Sequence, residues 1–89
     1  MANLKFDNMF DEVLKLLDEE IIKAEQKIIN KPIMQLRIIK QEVLIMKRVK
    51  NPKEFKPSYG MPIVDSWDYS DKLGIMLMEL ASLYERIRK

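Results

Sequence analysis

Cysteine and histidine are both missing from the 89 residues. Without cysteine there is no disulfide framework, no thiolate metal ligand and no thiol nucleophile. Without histidine there is no imidazole ligand and no imidazole general base. Glycine occurs only twice and proline four times, too few turn-formers for a sandwich or barrel of many short strands. No apolar run approaches the roughly 20 residues of a membrane span. Asp7, Asp11 and Glu12 stand where a signal peptide would carry its apolar segment. A cytoplasmic chain is therefore expected, with no cofactor and no membrane partner.

Leu, Ile, Met and charged residues fill the space these absences leave. Hydrophobic residues make up 47% of the chain, which sets it apart from disordered polar tails. The length suits one domain, residues 1–89, with one core. The net charge of +2 is unevenly spread. Residues 1–30 carry seven acids against four bases, residues 31–57 eight bases against two acids, and residues 58–89 five acids against four bases. The middle of the chain is thus basic between two acidic ends.

Apolar spacing predicts an all-α fold, a three-helix bundle with helices at about 4–29, 32–50 and 66–88. In the first, Phe10, Leu14, Leu17, Ile21, Ala24 and Ile28 alternate steps of four and three, keeping one side toward one partner. Phe6, Val13, Ile22 and Ile29 widen that stripe, and Asn3 is a suitable N-cap. Pro32 marks either a tight turn between helices or a kink in one longer helix. The second helix carries two stripes. Leu36, Ile39, Val43 and Met46 form one, with Met34, Ile38, Ile45 and Val49 on an adjoining face. A helix this broadly apolar is central or is covered by a second chain. Met34, Ile38, Ile45 and Val49 are accordingly the candidate interface of a homodimer.

Asn51-Pro52 ends the second helix. Residues 51–64 then hold three prolines among apolar and aromatic residues, which predicts a long loop lying on the bundle. Asp65 is the expected N-cap of the third helix, with Asp68 completing a capping box and Val64 and Tyr69 a hydrophobic staple. Tyr69, Leu73, Met76, Leu80, Leu83 and Ile87 form its seam, which Leu77, Ala81 and Tyr84 widen. Met34, Met46 and Met76 fall on core stripes, while Met78 departs from its own. Trp67 and Tyr69, where the loop meets the third helix, read as core plugs, with interface anchors as the alternative.

The acids Asp18, Glu19, Glu20 and Glu25 give the first helix a resemblance to the acidic helices of all-α nucleotide pyrophosphohydrolases, which hold Mg²⁺ between paired helices. The second helix offers only Glu42 to such a site, so a solvated face is the reading. Asp65, Asp68 and Asp71 read as an acidic helix start. In size and helix number the chain is also similar to all-α chorismate mutases. Their interior Arg and Lys residues have no counterpart here, because there is no Arg before Arg37 and the helical seams are apolar.

The most suggestive run is basic. Lys47, Arg48, Lys50, Lys53 and Lys56 surround the end of the second helix, with Phe55 and Tyr59 interleaved. Cations draw phosphates and an exposed ring can stack on a base. These seven residues are the candidate contacts for a protein partner or, as the alternative, for nucleic acid. The expected function is a non-enzymatic regulator or adaptor acting through protein–protein contact. The abundance of Ile, Lys, Met and Asn suits an AT-rich bacterial or phage genome.

Overall fold

The structure is a computed structural model that describes residues 4–87, apart from the side chains of Val64 and Ser66. The described chain is all-helical, and the three long helices of the expected bundle are present with a short fourth one. They are α1 (Leu4–Glu25), α2 (Ile33–Val49), α3 (Gly60–Ser66) and α4 (Lys72–Glu85).

Antiparallel pairing places α1 at the centre. Its first turn meets the end of α2 through Asp7–Lys47, and its later turns meet the start of α2 through Glu25–Arg37. The ring of Phe6 lies 6.0 Å from that of Tyr84 near the end of α4. Helix α1 therefore packs against both α2 and α4 and runs opposite to each. The breadth of apolar surface on α2 fits either a central helix or one covered by a second chain, and the helix that packs against both of the other long ones is α1. Of the second stripe on α2, Met34 and Ile38 face outward, whereas Val49 packs on the core.

The core draws on every helix. Phe6, Phe10, Val13 and Leu17 come from α1, and Leu36, Ile39, Val43 and Met46 from α2. From α4 come Leu73, Leu77, Leu80 and Tyr84, with Ile63 and Trp67 added by α3 and its end. The inner stripe of α2 is the one its spacing predicts. Leu14, Ile21, Met76 and Leu83 lie half-buried at the edge of this core.

Helix α1 stops four residues before the expected Ile29. The Ile28 N–H donates to Lys23 O at 2.8 Å and the Lys27 N–H to Ala24 O at 3.1 Å. Lys27 has φ 61°. This is a Schellman ending, in which a left-handed residue lets two backbone N–H groups cap the last carbonyls. Pro32 is the N-cap residue of α2, with φ −64° and ψ 125°. The chain turns here rather than kinking.

The expected third helix starts later than Ser66, at Lys72, and a short additional helix precedes it. Helix α3 begins inside the presumed loop, because Pro62 lies in its first turn, where an N–H has no intrahelical acceptor. Asp65 is inside α3 and does not cap. After the extended Trp67, the Ser70 N–H and Oγ–H both donate to Asp68 Oδ1, at 2.9 and 2.8 Å. Asp71 then caps α4, its Oδ1 accepting the Gly74 N–H at 3.0 Å. Short polar side chains thus take over the backbone bonds that a continuous helix would have made. The staple fails as well. Tyr69 is 94% exposed, and the Val64 side chain lies outside the described ones, as do Asn3 and Arg88.

Candidate functional site

Two of the five bases at the end of α2 serve the fold. Lys47 and Lys50 each place Nζ 2.9 Å from Asp7 Oδ1. Their hydrogen bonds hold the Asp7 carboxyl below its ordinary range. Lys47 also lies 5.1 Å from the centre of the Phe10 ring. Lys50 ends α2 in the left-handed region, at φ 45°. Arg48, Lys53 and Lys56 are exposed and make no ion pair among the described residues.

The aromatics interleaved with these bases point inward. Tyr59 is buried and donates its hydroxyl to Leu77 O at 2.8 Å. Burial, reinforced by Glu42, pushes that phenol far above its ordinary range. Phe55 is half-buried against the core. Its carbonyl and that of Asn51 both face the Tyr84 hydroxyl, at 2.6 and 2.8 Å. The loop is therefore tied to α4 by two tyrosines. Tyr59 offers no open ring for a base.

The candidate interface on α2 divides. Met34 and Ile38 are 67% and 52% exposed. Met34 does not belong to the core that its stripe suggested. Ile45 is half-buried, and Val49 packs on the core. Leu44 adds exposed apolar surface on this helix.

Three of the four acids that give α1 its resemblance to a metal-binding helix are matched by bases of α2 and the turn before it. Asp18 meets Lys40 at 2.7 Å and Glu25 meets Arg37 at 2.8 Å. Lys31 Nζ lies between Glu20, at 2.5 Å, and Asp71, at 2.7 Å. It also stands 4.1 Å from the Trp67 ring centre, a cation over the ring's negative face. Trp67 Nε1 donates to Gln35 Oε1 at 2.7 Å. Among the described residues no three acids converge as a metal site would require.

Sequence reasoning missed one surface. Between α3 and α4 runs a groove of about 450 Å³. Ile63, Trp67 and Gly74 line it together with Ile75 and Met78. A Cβ on Gly74 would stand 3.2 Å from Trp67 Cε3, so the indole packs directly on the α4 backbone. Ile75 and Met78 are 47% and 40% exposed, and Met61 and Tyr69 add further exposed apolar surface on α3 and the turn that follows. Met78 also borders a second cleft, beside Lys53, Lys56 and Tyr59. The signal available in the sequence was the departure of Met78 from its seam, which Ile75 shares three residues earlier.

Comparison with protein-family models, with curated proteins and with solved structures gave no match. Among the described residues the surface exposes an apolar groove on α3 and α4, apolar side chains on α2, and three bases near the end of α2.

Proposed function

We propose that this chain is a non-enzymatic interaction module, a cytoplasmic regulator or adaptor that docks a segment of another protein in the α3–α4 groove. The groove itself carries this reading. Soluble monomers seldom leave contiguous apolar surface open without a use for it, and Ile75, Met78 and Tyr69 are exposed around a preformed cleft. A peptide library displayed on phage and panned against the immobilised protein tests it. Selected ligands should lose binding to the double variant Ile75→Glu, Met78→Glu. Ligands that bind that variant equally well would contradict the reading.

Self-association through α2 belongs to the same proposal, since Met34, Ile38 and Leu44 expose apolar surface on one helix. Met34→Glu with Ile38→Glu should leave the fold's stability within about 0.5 kcal/mol, as for other surface changes. The same variant should abolish any dimer seen by sedimentation. An unchanged dimer would exclude α2.

Nucleic-acid binding is the second reading, favoured by the exposure of Arg48, Lys53 and Lys56. Three phosphate contacts on duplex DNA would give a slope of log K against log salt of about −2.7. No binding at low salt would rule it out.

A further inference from the structure

The α3–α4 groove differs in charge from the chain that carries it. The charged side chains lining it, Asp68 and Glu79, are both acidic, whereas the whole chain has a net charge of +2. Along α4 the lining runs from Gly74 to Ser82, roughly two helical turns or about 12 Å. An extended peptide would gain little here. Among the described residues there is no strand whose edge could pair with its backbone. A helix brings its own backbone bonds and needs only apolar side chains on one face.

Resting on the groove reading above, we propose that the occupant is a basic amphipathic helix of a partner protein. Its apolar residues at i, i+3 or i+4, and i+7 would lie on Trp67, Ile75 and Met78. Its Lys or Arg residues would face Asp68 and Glu79. A second copy fits less well. The exposed face of α2 offers Arg37 and Arg48, but Arg37 is held 2.8 Å from Glu25 of its own chain. Arg37 and Arg48 are also about 16 Å apart along the axis at 1.5 Å per residue, farther than the groove is long.

Trp67 is the only tryptophan and lines the groove, so its emission reports occupancy. Tryptophan-free helical peptides of roughly 18 residues, built on Leu/Lys, Leu/Gln or Leu/Glu patterns, are titrated into the full chain. The Leu/Lys peptide should shift the Trp67 emission saturably and bind about tenfold tighter than Leu/Gln, with Leu/Glu weakest. Glu79→Lys should weaken Leu/Lys binding about tenfold, whereas Lys5→Glu, exposed on α1 and outside the groove lining, should not weaken it. Circular dichroism melts confirm that both variants fold. Equal binding of Leu/Gln or Leu/Glu overturns the basic partner and leaves the groove reading standing. If no peptide moves Trp67, both fall. Emission that depends on protein concentration without any peptide makes a second copy the occupant and overturns the proposal.

Discussion

Tyr84→Phe removes one oxygen from the core and tests how the loop is held. The side chain is fully buried, and its hydroxyl is shared between Asn51 O and Phe55 O. The two carbonyls do not lose equally. Asn51 O also accepts the Glu54 and Phe55 N–H groups, at 3.0 and 3.1 Å, so it stays bonded. Phe55 O depends on the hydroxyl among the bonds described. The loss is therefore one net hydrogen bond, about 1 kcal/mol, plus part of the cost of an unmet carbonyl, for a total of about 1–2 kcal/mol. In a domain of this size that lowers the melting temperature by roughly 5–15 °C. Urea unfolding followed at 222 nm reads the free energy, and amide exchange at Phe55 should quicken. A loss below about 0.3 kcal/mol would refute the reasoning, because it lies under the smallest net value for such a bond.

Lys31→Met leaves Glu20 and Asp71 without their shared cation. Their side chains are only 18% and 21% exposed, so the cost should fall between the surface and buried limits, about 1–3 kcal/mol by urea unfolding; no change would show the ties to be ornamental. Lys27→Gly relieves a left-handed residue at φ 61° and should stabilise by about 0.5–1 kcal/mol once the flexibility of glycine is counted, whereas destabilisation would contradict the Schellman ending. Asp7→Asn concerns pH. The Asp7 carboxyl is held below its reference value of 3.8, so its contribution is present above that value and is lost as pH falls through the folded-state value. The variant should be less stable at neutral pH and lose less stability below about pH 4; parallel acid limbs for the two proteins would show that the Lys47–Asp7–Lys50 cluster does not couple to folding.

What could be read from the sequence divides by physical cause. The inner stripe of α2 was legible because Leu36, Ile39, Val43 and Met46 keep helical spacing and all are buried. The end of α1 was hidden because Lys27 takes the left-handed position where glycine or asparagine is the usual sign. The split between α3 and α4 was masked by two plausible caps in competition. Asp65 with Asp68 has the right spacing, yet Asp68 turns to Ser70 and leaves the capping to Asp71. Pro62 fits a loop and a first helical turn equally well in sequence, and it occupies the first turn of α3. The charges misled in a further way. Lys47 and Lys50 look free in one dimension, but Asp7, forty residues from Lys47, meets them across the α1–α2 contact. The groove was hidden because it depends on the same break, which brings Trp67 onto Gly74 beside Ile75 and Met78, the two residues off the α4 seam.

The central claim is that the α3–α4 groove receives the partner protein. The most direct measurement is an amide correlation spectrum of the ¹⁵N-labelled chain titrated with a ligand from the displayed library. The account predicts that shifted peaks cluster at Ile63, Trp67, Gly74, Ile75 and Met78. Shifts confined to Arg48, Lys53 and Lys56, or to Met34 and Ile38, would contradict it.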